Sequence, residues 1–249
     1  VLKLLFHTLE TIAKLFHYRI AVIKTQKDAV NNFAPILLSS SFSPWETDSK
    51  FQRIYQQIQP FTLVDQYKSY ELWQLVEQVR KIPGVIIEVG VWRGGSGTLI
   101  AQRARERKIH TKIYLCDTFC GIVKAGKKDN YYRGGEYADT SQNAVERLLR
   151  RFHLRDVCVL QGIFPDETGK YITEKKVRLC HIDVDVYEST KDILNWVWPK
   201  LSLGGMVIFD DYGFQACEGV TTLVNEQRQK KDRLIIHNLN GHAIMVKIH

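Results

Sequence analysis

The chain is 249 residues long, 45% hydrophobic and 25% charged, with a formal net charge of +8. That composition fits one globular α/β domain with an N-terminal extension better than two full domains. No stretch reaches the roughly 18 uninterrupted apolar residues of a spanning helix, and no small-residue cleavage site follows a short apolar core at the N-terminus; a cytoplasmic protein without a membrane span is expected. The five cysteines, Cys116, Cys120, Cys158, Cys180 and Cys217, form no CxxC pair, and several fall in apolar runs, which points to reduced, interior thiols.

The positive balance raises a nucleic-acid partner, because clustered Lys and Arg neutralise phosphates. Most of the charge is dispersed. Arg103, Arg105, Arg107 and Lys108 gather at the end of one helix, where the macrodipole favours cations, so no nucleic-acid partner is expected. Lys124, Lys127 and Lys128 share one loop, and charge alone leaves their role open.

In chain order, residues 2–24 carry Leu2, Leu5, Leu9, Ile12, Phe16 and Ile20 at helical spacing with Lys3, Lys14 and Arg19 between them, which predicts an amphipathic helix. A polar stretch from Ser39 to Ser49, with Pro44, reads as a linker before a helix from about Leu63 to Lys81. The predicted domains are therefore an N-terminal helical extension and linker over residues 1–60 and a single α/β domain over 61–249. From Pro83 onward short apolar runs alternate with helical segments: Val85–Val89, Ile113–Cys116, Val157–Leu160, Val177–Ile182 and Met206–Phe209 are strand candidates. That alternation predicts a mostly parallel sheet with helices on both faces. Leu234–His237 and Ala243–Ile248 flank Asn238-Leu239-Asn240-Gly241, a tight-turn sequence, so the sheet is expected to close with an antiparallel hairpin.

In an open α/β sheet, ligands bind beyond the carboxyl ends of the strands, where strand order reverses. The first strand ends in Glu88-Val89-Gly90-Val91-Trp92-Arg93-Gly94-Gly95-Ser96-Gly97. Its glycines allow a sharp turn and close backbone approach, and the following helix presents free amides. The segment is not the GxGxxG of a dinucleotide site. An acid two residues before the first glycine suits a cationic amino-acid ligand, and a sulfonium cofactor with its own ammonium group fits. Asp117 after the second strand is placed to accept ribose hydroxyls. Gly162 and Phe164, in Gln161-Gly162-Ile163-Phe164 after the third strand, are placed to lie against an adenine ring.

Two acidic clusters end the next strands: His181-Ile182-Asp183-Val184-Asp185 and Phe209-Asp210-Asp211-Tyr212. Adjacent carboxylates at the mouth of a sheet repel unless a cation or shared proton relieves them. A hard dication such as Mg²⁺ prefers oxygen ligands, and no His/Cys set with zinc spacing lies nearby. Asp183, Asp210 and Asp211 are the expected metal ligands, with Asp183 also the proton acceptor. Asp185 is its rival, because in an extended segment it faces the same side. The alternative is that Asp210 and Asp211 only cap or turn the chain. Ser189 and Thr190, with Asp192, read as the N-cap region of the helix running to Trp198. His7, His17, His110, His153, His237, His242 and His249 show no paired spacing, and core or surface roles are expected for each.

Together, Glu88-Val-Gly-Val-Trp-Arg-Gly-Gly, Asp117-Thr-Phe-Cys-Gly121, Ile182-Asp-Val-Asp-Val-Tyr-Glu-Ser-Thr190 and Leu203-Gly-Gly-Met-Val-Ile-Phe-Asp-Asp-Tyr212 resemble the macrocin O-methyltransferase (TylF-type) family from about Phe61 to Ile248. The resemblance implies the seven-stranded class I methyltransferase sheet, S-adenosylmethionine as cofactor, and Mg²⁺ on Asp183, Asp210 and Asp211. It also implies a small-molecule hydroxyl acceptor, commonly on a natural-product deoxysugar. The implied cofactor contacts are Thr62, Glu88, Gly90, Val91, Arg93, Gly94, Ser96, Asp117, Thr118, Phe119, Gly162, Phe164 and Asp183. Thr62 falls where the family's N-terminal segment closes over the cofactor. Residues 122–140 fall where a lid covers the acceptor, with Gly126, Gly134 and Gly135 as hinge and Tyr131, Tyr132 and Tyr137 as possible stacking surfaces. Family members often assemble through their N-terminal parts, so a homo-oligomer is expected. The competing readings are a methyltransferase of a phenolic or catechol acceptor, a methyltransferase of nucleic acid, against which no Asn-Pro-Pro-Tyr-type motif follows the fourth strand, and a non-catalytic cofactor-binding protein.

Overall fold

Short β-branched runs bounded by Gly, Pro and polar turns form seven strands in the computed structural model, which describes residues 40–249. They are β1 (Val85–Val89), β2 (Ile113–Asp117), β3 (Val157–Gln161), β4 (Val177–Ile182), β5 (Leu201–Phe209), β6 (Arg233–His237) and β7 (Ala243–Lys247). The sheet order is β3-β2-β1-β4-β5-β7-β6. Strands β1 to β5 run parallel, and β7 pairs antiparallel with both β5 and β6. The sheet is the seven-stranded mixed sheet expected. Order reverses between β1 and β4, which makes their carboxyl ends the switch point at which open α/β sheets bind ligands. The helices are α1 (Pro44–Thr47), α2 (Ser49–Ile58), α3 (Gln66–Gln78), α4 (Gly95–Glu106), α5 (Gln142–Arg151), α6 (Tyr187–Val197) and α7 (Glu218–Glu226).

Alternate residues of each strand feed opposite layers. Ile87 and Val89 of β1, Cys180 and Ile182 of β4, and Val207 and Phe209 of β5 pack with Ile193, Leu194 and Val197 of α6 and with Val220 and Val224 of α7. Ile86, Leu179 and Ile208 pack on the other face with Leu72 and Val76 of α3, Ile100 and Ala104 of α4, and Val145 and Leu149 of α5. Removing apolar surface from water at about 25 cal/mol per Å² holds these layers on the sheet.

The stretch read as a linker is structured where it is described. Asp48 caps α2 by accepting from the Phe51 amide at 3.0 Å and also accepts from the Trp73 indole at 3.1 Å. Phe51, Ile54 and Ile58 then pack with Trp73, Leu99, Leu148 and Phe152 in a further cluster. Polar composition hid this because α2 is amphipathic, with only three of its ten residues buried. The amphipathic helix expected over residues 2–24, with His7 and His17, lies outside the described residues. Among the described residues no helix is long and apolar enough to cross a membrane.

Two end regions differ from the sequence expectation in ways that bear on the site. α6 begins at Tyr187, and its N-cap Val186 offers no side-chain cap. Ser189 and Thr190 therefore sit inside the first turn, where Ser189 Oγ donates to the Val123 carbonyl at 2.8 Å and Thr190 Oγ1 donates to the Val186 carbonyl at 2.7 Å. Asp185 lies in the left-handed region at φ 63° instead of the extended one expected, yet it still comes to the same side of the strand ends as Asp183.

Candidate active site

Parallel register lines up the carboxyl ends of five strands. The Gly90 amide donates to the Cys116 carbonyl, the Gly162 amide to Asp117, the Asp183 amide to Val89 and the Asp210 amide to Ile182, all at 2.9–3.0 Å. The turn after β1 needs glycine at position 90: φ is +86°, and a Cβ there would collide with the Asp183 carbonyl. At Gly95 an added Cβ would meet the Phe61 carbonyl and Thr62, so the start of α4 lets the 59–62 turn dock against it and brings Thr62 to the strand ends.

These ends enclose a cavity of about 390 Å³. Of the predicted contacts, Thr62, Gly90, Val91, Ser96, Asp117, Thr118, Gly162, Phe164, Asp183, Asp210 and Asp211 line it. Asp117 is fixed by backbone: Oδ2 accepts from the Val91 and Trp92 amides at 2.7 and 2.8 Å, and Oδ1 from the Phe119 amide at 2.7 Å. A carboxylate has roughly four lone-pair sites, so about one remains for a ligand hydroxyl. Phe164 is buried against Trp196, edge to face at 4.9 Å.

Four predicted contacts do not line the cavity. Glu88 is fully buried; it faces the helix layer opposite to that of Val89, and its Oε1 meets His181 Nδ1 at 2.9 Å. Its other oxygen has no hydrogen-bond partner and abuts Gly97, and Glu88 is not among the residues lining the cavity. Arg93 stacks on Trp92 at 4.3 Å and pairs with Asp139. Gly94 caps α4 with φ 88°, and Phe119 packs into the core beside Val91 and Leu115.

One carboxylate oxygen each from Asp183, Asp210 and Asp211 lie within 4.8 Å of one another, and a second group joins Asp185, Asp211 and Cys217. The three aspartates differ sharply in their surroundings. Loss of water pushes the Asp183 carboxyl well up, and the charges of Asp210 and Asp211 add to it. Burial likewise raises Asp211, helped by Asp185 and Asp210, and lifts Asp185 to about 6. Asp210 goes the other way: burial would raise it, but Lys68, His181 and His242 hold it well below the usual carboxylate range. Its Oδ2 pairs with the Lys68 ammonium, and its Oδ1 meets His242 Nε2 at 2.9 Å and His181 Nε2 at 3.3 Å. His242 Nδ1 continues to Glu71 at 2.6 Å. His181 is pushed up to about 10: burial would lower it, but its hydrogen bonds to Asp210 and Glu88 prevail.

Lys68, which lines the cavity, is therefore a site residue that sequence reasoning missed. A lysine in a mixed-polarity helix carries no spacing signal. His242 is fully buried, one of the roles expected of it, and from the core it holds Asp210 in place, a contact that only its place beside the end of β5 could have shown.

The loop over residues 122–140 covers one side of the cavity with Tyr132 and Tyr137, whose hydroxyls are 3.3 Å apart, while Tyr131 is exposed. Its lysines are spoken for in part: Lys124 pairs with Asp166 and Asp192, both at 2.6 Å, and Lys128 with Glu226 at 3.0 Å. Asp129, buried within the loop, accepts from the Tyr187 amide at 2.9 Å and from the Gly126 amide at 2.9 Å. It thereby supplies the cap that Val186 lacks. The arginine cluster on α4 is also accounted for: Arg103 is buried on Trp73 and paired with Glu77 and Glu106, and Arg107 pairs with Glu77.

A sheet of this order, with its cavity at the β1/β4 switch, is the class I methyltransferase architecture. The structure of the O-methyltransferase NovP superposes with a TM-score of 0.66 at 28% identity, over 76% of this chain and 83% of that one. The demethyldecarbamoylnovobiocin O-methyltransferase of Streptomyces niveus is 33% identical over 184 residues, 69% of each chain. The mycinamicin III 3''-O-methyltransferase of Micromonospora griseorubida is 30% identical over 192 residues, 70% of this chain and 74% of that one. The chain belongs to the macrocin-O-methyltransferase (TylF) family, whose sequence model matches residues 46–242, and it is an O-methyltransferase.

Proposed function

We propose that the protein transfers the methyl group of S-adenosylmethionine to a hydroxyl of a natural-product small molecule, foremost a sugar hydroxyl, with Mg²⁺ held by Asp183, Asp210 and Asp211. The observation that carries this reading is the charge imbalance of the cavity wall: six aspartates (65, 117, 183, 185, 210 and 211) face a single Lys or Arg side chain, Lys68, among the described residues. The raised carboxyls of Asp183 and Asp211 mark where that excess is least relieved. A dication with oxygen ligands and a cofactor bearing sulfonium and ammonium groups both fit such a wall. The relatives named for demethyldecarbamoylnovobiocin and mycinamicin III support a natural-product acceptor, and one named for a rhamnosyl-tetracenomycin C supports an acceptor that carries a sugar.

When bound, the metal supplies Lewis-acid stabilisation of negative charge on the acceptor oxygen, and the cofactor supplies an electrophilic methyl. The chain's own residues bind and orient. Asp117 offers its remaining lone pair to the ribose, Gly162 and Phe164 border the adenine, and Thr62, Gly90, Val91 and Ser96 surround the rest of the cofactor. Asp183 accepts the proton of the acceptor hydroxyl. Tyr132 and Tyr137 close the acceptor side and exclude water, which preserves an in-line approach of oxygen to methyl.

The test is methyl transfer to a panel of glycosylated natural products by EDTA-stripped protein, with and without added Mg²⁺. Turnover that disappears on stripping and returns with Mg²⁺ is expected. Undiminished turnover without metal refutes the metal part, and S-adenosylhomocysteine binding without turnover on any hydroxyl refutes the catalytic part.

A further inference from the structure

We propose that Lys68 is a tethered cation that shares the aspartate cluster with the divalent ion and weakens the ion's hold, an inference that rests on the metal reading above. Lys68 occupies the first turn of α3, where Asp65 caps the helix by accepting from the Tyr67 and Lys68 amides. A cation there faces the positive end of the helix dipole. It is also only 6% exposed, so its ammonium has given up most of its hydration. Both costs need an electrostatic offset, and the offset is Asp210: Lys68 Nζ pairs with Oδ2 and lies 3.4 Å from the Asp210 carbonyl.

Asp210 thus enters the cluster with both carboxylate oxygens occupied, Oδ2 by Lys68 and Oδ1 by His242 and His181. Among the described residues Asp183 and Asp211 take no hydrogen bond from a Lys, Arg or His side chain; Asp211 Oδ2 accepts only the Asp185 amide, at 3.0 Å. A dication held by Asp183, Asp210 and Asp211 then shares the Asp210 carboxylate with the Lys68 ammonium. Like charges at such range raise the free energy of the bound ion. In exchange, the metal-free chain keeps its aspartates together instead of driving them apart, and the ion stays exchangeable.

Mn²⁺ binding to the whole chain, followed by electron paramagnetic resonance of the free ion, tests this. Lys68→Met is expected to lower the Kd about tenfold or more, which corresponds to relief of one like-charge contact, whereas Lys68→Arg stays within about threefold of wild type. Metal-free Lys68→Met should melt below wild type, and saturating Mn²⁺ should narrow the gap. If the Met variant does not fold, Lys68→Gln, which keeps a donor for Asp210 without the charge, is held to the same tightening. Unchanged or weaker binding by the uncharged variants overturns the inference while leaving the metal reading intact. A wild-type chain that binds no Mn²⁺ overturns both.

Discussion

Replacing Asp129 by alanine should detach the loop over the cavity from α6. The side chain is 4% exposed and makes two hydrogen bonds to backbone amides, of Tyr187 and Gly126. Losing a helix cap costs about 0.5–2 kcal/mol, and a buried amide left without an acceptor costs about 1–3 kcal/mol. These overlap, because the Tyr187 amide is counted in both, so the expected loss is roughly 2–3 kcal/mol. For a chain of this size 1 kcal/mol moves Tm by roughly 2–4 °C, which places the variant roughly 4–12 °C below wild type in a thermal scan. Hydrogen exchange supplies the local readout: the Tyr187 amide and residues 126–135 should exchange faster, in step with the lost stability. Gly219→Ala should reproduce the effect, since the space its Cβ would take is filled by Asp129 Oδ1. A Tm within about 1 °C of wild type, with unaltered exchange at Tyr187, would refute the cap-in-trans argument.

Arg103→Ala removes a guanidinium that is stacked on Trp73 and bonded to the Trp73 carbonyl, Glu77 and Glu106. The carboxylates left behind are 28% and 22% exposed, so the expected cost is about 1.5–3 kcal/mol, that of a hydrogen bond to a charged group, and a loss below about 1 kcal/mol in urea unfolding would count against a structural role for the basic end of α4. Asp232 is held below the usual carboxylate range, first by its hydrogen bonds from Arg233 and then by the Trp198 indole. Because the folded-state pKa is depressed, its contribution is present at neutral pH and is lost as pH falls through about 4 and below. The carboxyl is 38% exposed, so Asp232→Asn should cost only about 0.5–1 kcal/mol at pH 7. The difference from wild type should shrink steadily as pH falls below about 4, and a gap that widens in acid would reverse the assignment.

The sheet was legible because its signals are local. Val85–Val89 and Val177–Ile182 are short apolar runs bounded by turn residues, and both strands fall on those bounds. The aspartates at the ends of β4 and β5 were legible for the same reason: a strand end plus an acid is a pattern in one dimension. What the sequence did not carry is pairing across the fold. Nothing around Lys68 distinguishes a lysine buried on Asp210 from one in solvent. Glu88 looked like a ligand contact because it precedes a glycine turn, yet the face on which β1 places it was decided by β1–β4 pairing and the helices behind the sheet. Asp185 comes to the expected side through a left-handed turn of the chain, a conformation that an Asp-Val-Asp sequence does not announce.

Glu88 and His181 are opposite one another in the β1–β4 register, and that coincidence makes strand alignment a component of the chemistry. Slide β4 by a single position and the imidazole turns into the wrong helical layer, Asp183 leaves the mouth of the sheet, and Asp210 loses one of its two rings. Substitutions at Leu179 or Cys180, core positions of the same strand, would then disturb the contacts from Glu88 through His181 to Asp210 without touching any of the three.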